Sequence, residues 1–358
     1  MTAPTAPARF GSYDPAEVTW LLTDLSHVAL EVPTEDREEL IQGGRHYAEM
    51  LPVEYQPDEA YTALFHAALR ATAGRLAEAV GLVGELLLHE HGGPPVLVSL
   101  ARAGTPIGIL LRRWYAAQGL DAPHYAISIV RGRGIDEVAV QHVLDRHPVE
   151  RVRFVDGWTG KGAIARELAV AVARWPGLDP RLAVLADPGS CTDLHGTRDD
   201  FLIPSACLNS TVSGLVSRTV LRDDLIGPGM FHGAKHYDEL APVDVSGVFL
   251  DAVSDAFAPV DVAPLLAADR APTWEGWAAV ERLAEEFGIR DVNLVKPGVG
   301  ETTRVLLRRV PWQVLVRPDR GAELEHVRVL AAARGVPVVE RDDLPYSCVG
   351  LIRPAGAA

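Results

Sequence analysis

Asp156, Lys161 and the small residues around them are the positions in this chain whose types and spacing best suit chemistry. They lie in RVRFVDGWTGKG, residues 151–162. A β-rich run, Val152–Val155, ends in the acid Asp156; Gly157, Thr159, Gly160 and Lys161 then form a small-residue turn, and an Ala-rich helical pattern opens at Gly162. The N–H groups of Thr159–Gly162 are therefore expected at a helix N-terminus, where unpaired donors and the helix dipole favour an anion. The carboxylate of Asp156 can accept hydrogen bonds from hydroxyl groups. Together these features predict a seat for a phosphorylated sugar.

Two further loops follow strand-like runs. In VSLARAGTPIG, Arg102 stands beside Ala103 and Gly104, and a guanidinium there can pair bidentately with phosphate oxygens. In IVRGRGID, Arg131 and Arg133 alternate with glycines and suggest a cationic lid. This is no dinucleotide fingerprint, because Glu137 stands at the third glycine position. Nor is VDGWTGKG a Walker A loop: Val155 and Gly162 replace the first Gly and the closing Ser or Thr. Of the 34 basic residues only Lys161, Lys235 and Lys296 are lysines, each close to glycines, where a slim point charge fits better than a fork.

A rival chemistry is thiol-based. Cys191 sits in a Gly/Ser turn, with His195 four residues on and His232 and His236 flanking Lys235. A nucleophilic cysteine needs an imidazole and an orienting acid, and Asp187, Asp193 or Asp199 can supply the last. The same Cys-x3-His and His-x3-His spacings can also ligate zinc. Cys207 and Cys348 read as core. Asn209, Ser210, Ser213 and Arg218, in CLNSTVSGLVSRT, have helix-like spacing that can place polar groups over a ligand.

These loops need a scaffold. The 358 residues suffice for two domains. Helical patterns are expected from Asp14, over 35–42 and over 57–89. Strands at 96–100, 125–130, 152–155 and 182–186 alternate with helices at 104–118, 135–146 and 162–174. Continuous apolar strands between helices imply a parallel sheet covered on both faces, with ligands at the carboxyl ends of the strands. A smaller α/β unit starts near Trp274. The net charge is −14, yet residues 280–358 carry 12 basic against 11 acidic residues, so the acidity lies in the front of the chain. Three cysteines without a CxxC pair exclude a disulfide framework, and no apolar run approaches membrane-spanning length; a cytoplasmic protein is expected.

VSLARAG, HYAISIVRGRGID, FVDGWTGKG and CLNSTVSGLVSRT resemble the phosphoribosyltransferase-like family of bacterial tellurium-resistance and stress operons, also named StiP-type cysteine proteases. The resemblance implies a type I phosphoribosyltransferase fold at 13–270, with an N-terminal helical block on its parallel sheet; residues 1–12 read as a disordered tail. It implies 5-phosphoribosyl-1-pyrophosphate (PRPP) as substrate, with Mg²⁺ held partly by Asp156. Thr159–Gly162 bind the 5′-phosphate, and Arg102, Ala103 and Gly104 lie at the pyrophosphate. Arg131, Arg133 and Lys235 help neutralise the leaving group. Where that fold has two adjacent acids, Gly157 follows Asp156, so one carboxylate serves for two. NLVKPGVGETTRVLLRRVPW and LPYSCVGLI resemble a Pelota-type RNA-binding domain, a small α/β/α sandwich at 271–358. Its RNA-gripping turn is Gly-x-Asn-Glu; here Gly298 and Glu301 are kept and Gly300 stands at the Asn, and the resemblance implies RNA contacts from Lys296, Gly298, Gly300, Glu301 and Arg304, with Arg308 and Arg309 as further phosphate contacts. The expectation is transfer of phosphoribose to a base or small metabolite, in a stress-linked or biosynthetic pathway. The alternative is a cysteine-dependent hydrolase of StiP type, and the third reading a PRPP- or nucleotide-sensing RNA-binding protein. A homo-oligomer is compatible with each.

Overall fold

In the computed structural model, residues 10–33, 36–37, 40–41, 43–54 and 56–353 are described. The chain from Asp14 was expected to be helical, but it forms a turn and then β1 (Thr19–Trp20) and β2 (Thr23–Asp24). Trp20, Leu21 and Leu22 are buried in succession, and a run that hides every side chain suits a sheet edge better than an amphipathic helix. Of the expected helix over 35–42, the described residues 36–37 and 40–41 are helical and 35, 38, 39 and 42 lie outside the described residues, as do 1–9 of the expected tail; Phe10 is buried and packs edge-on against Trp20. β3 (Glu31–Val32) and β4 (Leu51–Pro52) pair beside this edge. Among the described residues, the expected N-terminal helical block consists of the helical residues 36–37 and 40–41 and one long helix.

That helix, α1 (Glu59–His91), starts because the Asp58 side chain accepts from Tyr61 N. It stops because Gly92 takes a left-handed conformation and returns its N–H to Leu88 O. Its apolar face closes one side of the main sheet. After it the expected alternation follows: β5 (Val96–Ala101), α2 (Thr105–Ala117), β6 (His124–Val130), β7 (Gly134–Ile135), α3 (Glu137–Leu144), β8 (Val152–Trp158), α4 (Ala163–Val172), β9 (Leu182–Ala186) and β10 (His195–Thr197). The strand order is β1-β6-β5-β8-β9-β10, all parallel, with β7 folding back antiparallel on β6. Helices α1 and α2 pack on one face and α3 and α4 on the other, as their burial in two separate apolar clusters shows.

Residues 187–245 wrap the end of this sheet with little regular structure beyond β10 and the two-residue β11 (Gly233–Ala234). The expected helix at Cys207–Thr219 is a single 3₁₀ turn, Ser210–Val212. Helices α5 (Ser246–Ser254) and α6 (Ala263–Ala267) lead into the second unit. That unit holds α7 (Glu275–Glu286), β12 (Val295–Pro297), α8 (Val299–Arg308), β13 (Pro311–Val316), α9 (Glu325–Ala333), β14 (Val338–Glu340) and β15 (Cys348–Ile352). Its four-stranded sheet runs β12-β15-β13-β14, with β15 central and antiparallel to both neighbours. The two units share buried surface. Val299, Leu306 and Val327 of the second belong to the same apolar cluster as Leu76, Ile203 and Cys207 of the first. Among the described residues no helix is long and apolar enough to cross a membrane.

Candidate functional site: a cationic cleft and a covered thiol

The carboxyl ends of β5, β6 and β8 open into a cavity of about 440 Å³, and α8 forms its far wall. A second cavity of about 210 Å³ adjoins it along the Thr159–Gly162 turn. Asp156, Arg131, Lys296, Glu301 and Arg304 line both. Of the residues singled out from the sequence, Arg102 lines the first cavity, Thr159, Gly160, Lys161 and Gly162 the second, and Asp156, Ala103 and Arg131 both.

The strand it called Val152–Val155 continues to Trp158, so Asp156 lies inside β8, opposite Val184, and not on a loop. Its carboxylate accepts only from Gly157 N among the described residues, and burial pushes its pKa up to about 6. Gly157 is buried within β8 and lines neither cavity. Gly104 is also structural: a Cβ there meets Val155 O at 2.7 Å and Leu100 O at 2.9 Å. Arg102 donates to Val216 O and pairs with Glu54 at 3.5 Å; the Ala101–Arg102 peptide is cis.

Other expected members are elsewhere. Arg133 ion-pairs with Glu49 and donates to Leu221 O, outside the cleft. The loop that carries it is no free lid, since Glu167 on α4 accepts from Gly132 N and Gly134 N. Lys235 bonds Glu31 through both carboxylate oxygens, at 2.7 and 2.9 Å, and lines neither cavity. His232 bonds Ser128 through Nδ1, and the N–H of His236 donates to Ser26. Neither contacts Cys191 among the described interactions. His195, on β10, is buried with both ring nitrogens unpartnered, and burial lowers its pKa to about 4. No group of three His, Cys, Asp or Glu that could hold a metal occurs among the described residues, which removes the zinc reading. Asp156 is one carboxylate and Glu301 is engaged by Arg304 at 2.9 Å, so a magnesium ion has no protein cage and fits only on a ligand's own phosphates.

Cys191 is 4% exposed and lies directly beneath the anion turn. Its Sγ is 3.8 Å from Gly160 O, and a Cβ on Gly162 meets that sulfur at 2.7 Å. The carboxylate of Asp187 accepts from Cys191 N, Thr192 N, the Thr159 hydroxyl and Arg198. The second unit closes the other side. Trp274 N donates to Ser190 O, Gly276 N to Gly189 O, and the Tyr346 hydroxyl to Gly160 O. Burial, and then the charge of Asp187, push the Cys191 thiol up to about 12. Cys207 and Cys348 are fully buried core residues, as expected.

Sequence reasoning missed Tyr47; Asn209 and Arg218, expected to place polar groups over a ligand, line the cleft together with Arg309 of the second unit. Of the expected RNA contacts, Lys296, Glu301 and Arg304 face the cleft. Gly298 packs against Asp200 and Gly300 against Ala206 and Trp158. The side chain of Arg308 lies outside the described residues.

A family model described as tellurite-like stress resistance cysteine protease StiP matches residues 11–254, and one described as a PELOTA RNA binding domain matches 274–354. A cysteine protease StiP of Acinetobacter baylyi is 36% identical over 366 residues, covering 97% of this chain and 94% of that protein. Two structures of hypoxanthine phosphoribosyltransferase from Trypanosoma cruzi are 15% and 17% identical. They cover 34% and 38% of this chain and 72% and 74% of theirs, each at a TM-score of 0.26, too slight a likeness to carry an argument. These findings overturn the expectation of phosphoribosyl transfer, and with it the transferase and PRPP vocabulary: a near-full-length relative is described as a protease. A phosphate-friendly loop is shared by proteins of many activities, so it did not decide the reaction.

Proposed function

The chain belongs to the tellurite-like stress resistance cysteine protease StiP family, and on that premise we propose that it is a cysteine-dependent peptide hydrolase with Cys191 as its nucleophile. One observation supports this choice among three cysteines. Only the sulfur of Cys191 abuts the turn that lines the cleft, whereas Cys207 and Cys348 are fully buried. In the reaction the thiolate attacks the scissile carbonyl carbon, forming a C–S bond as the C–N bond breaks. The amine leaves with the proton given up by the thiol, and water then converts the thioester to a carboxylic acid and free thiol.

The base in this reading is His195, four residues along the same segment and held in its neutral form. The closed geometry is a resting one. Burial pushes the thiol up to about 12 and the imidazole down to about 4, so in this closed form the neutral thiol and neutral imidazole are strongly favoured. Activity then requires Trp274 and Tyr346 to withdraw, so that water and substrate reach the sulfur and its pKa falls.

Alkylation tests this. At pH 7 only about one thiol in 10⁵ is ionised if the pKa stays near 12, so iodoacetamide should modify Cys191 slowly, with a rate rising about tenfold per pH unit between 8 and 11. Hydrolysis of an unstructured protein substrate should fall in step with Cys191 modification, read by mass spectrometry. Hydrolysis that persists with Cys191 fully alkylated overturns the assignment.

A further inference from the structure

The sulfur of Cys191 is covered by a stretch of backbone that is held much as a substrate would be. Residues 270–274, between α6 and α7, have no regular structure, and Ala271, Pro272 and Thr273 are exposed. The stretch is nevertheless fastened along the loop that carries the thiol. Thr273 N donates to the Ser190 hydroxyl at 3.1 Å, and Trp274 N to Ser190 O at 2.9 Å. Upstream, the Arg198 guanidinium donates to Arg270 O, and that of Arg270 to Asp193 O. Three of these four bonds use the main chain of 270–274, the part that a polypeptide of any sequence can offer.

Of residues 271–274 only Trp274 is not exposed. A Cβ on Gly162 would meet its indole Cζ3 at 2.4 Å and the Cys191 sulfur at 2.7 Å, so ring and sulfur flank one point. The Arg166 guanidinium of α4 lies over the same indole, 4.9 Å from its centroid. Trp274 reaches this seat in a left-handed backbone conformation, φ 58°, which bulky residues rarely adopt. Strain of this kind gathers where the surrounding structure over-determines a functional contact.

We propose that 270–274 is an internal occupant of the substrate groove, and that the seat of the Trp274 indole is the subsite for an aromatic side chain of the polypeptide substrate. This rests on Cys191 as the nucleophile. The seat suits a flat ring, because Gly162 adds no side chain and Arg166 offers a cation to a π face. A substrate's aromatic residue and Trp274 compete for one place, so binding and uncovering of the thiol are coupled. Folded proteins bury most of their aromatic side chains, and the competition therefore favours unfolded chains as substrates.

Iodoacetamide alkylation of Cys191 in the full chain at about pH 8, followed by mass spectrometry, tests this without turnover. Trp274→Ala should be modified about tenfold or more faster than the wild type, and Trp274→Phe should stay slow. In Trp274→Ala, N-acetyltryptophanamide should restore slow modification saturably and N-acetylalaninamide should not. Adding Arg166→Gln to that variant should weaken the protection. Arg270→Gln, which loosens the stretch but keeps the indole, should also speed modification, and it serves if Trp274→Ala fails to fold. Wild-type rates in Trp274→Ala and Arg270→Gln overturn the proposal, as does equal protection by the two amides or none by either. Failure of the nucleophile assignment is read separately, as fragment release that persists with Cys191 fully alkylated.

Discussion

Replacing Cys191 with Ala should reduce peptide-bond hydrolysis by roughly a thousandfold or more, to the level of a protein that can bind but not acylate. The side chain is small, and the pocket around its sulfur is formed by Gly160, Gly162 and Trp274. Loss of one sulfur should cost only about 1 kcal/mol of stability, so a failure of activity cannot be blamed on unfolding. Cys191→Ser is expected to be as inactive, since a hydroxyl in this dry site is far harder to ionise than a thiol. Cys207→Ala and Cys348→Ala should hydrolyse at the wild-type rate whenever they fold, as neither thiol reaches the cleft. Equal activity in Cys191→Ala and wild type, measured as release of peptide fragments with circular dichroism as the folding check, is the outcome that removes Cys191 from the chemistry.

Asp200→Ala should lower stability by about 3–5 kcal/mol. Asp200 leaves the main sheet's flank and crosses to the second unit. Its Oδ1 accepts from Val299 N at the start of α8, and its Oδ2 from Ser347 N beside β15. Its own carbonyl accepts from the Ser347 hydroxyl. Truncation leaves two buried N–H donors without partners, each worth about 1–3 kcal/mol. Because those donors belong to the other unit, the melting curve should also broaden or split, the second unit loosening first. The same variant should alkylate faster at Cys191, since Trp274 and Tyr346, which close that sulfur, ride on the unit that is released. A single sharp transition within 2 °C of the wild type would show that Asp200 does not join the units.

The two outcomes bear on one arrangement. The second unit holds the thiol covered and supplies the far wall of the cleft, so anything that moves it changes both at once. Gly276 shows how little slack the contact has: a Cβ there meets the Tyr346 hydroxyl at 2.1 Å and Gly189 Cα at 2.5 Å. Such contacts leave no room for gradual adjustment, and opening is therefore a displacement of the unit and not a relaxation of side chains.

The amino-acid sequence by itself determined the parallel sheet and its helices, because continuous apolar runs four to six residues long between amphipathic stretches have few other solutions. It also determined that Arg102, Asp156 and Thr159–Gly162 share one rim, since loops at the carboxyl ends of neighbouring parallel strands must converge. It misjudged Asp14–Leu25, where tertiary burial of Trp20–Leu22 at the sheet edge outweighed a good helix start. It also gave β15 no place in the sheet, although that strand is central there: its five residues, CVGLI, are short and interrupted by glycine. Only the tertiary structure decided which polar residues meet. Lys235 and Arg133 went to carboxylates distant in the chain, Glu31 and Glu49, while Arg218 and Lys296, 78 positions apart, came to face one cavity. Local pattern encodes which way a segment folds. Pairing across long sequence separations depends on how the two units dock, and that is set by the summed packing of surfaces no single motif contains.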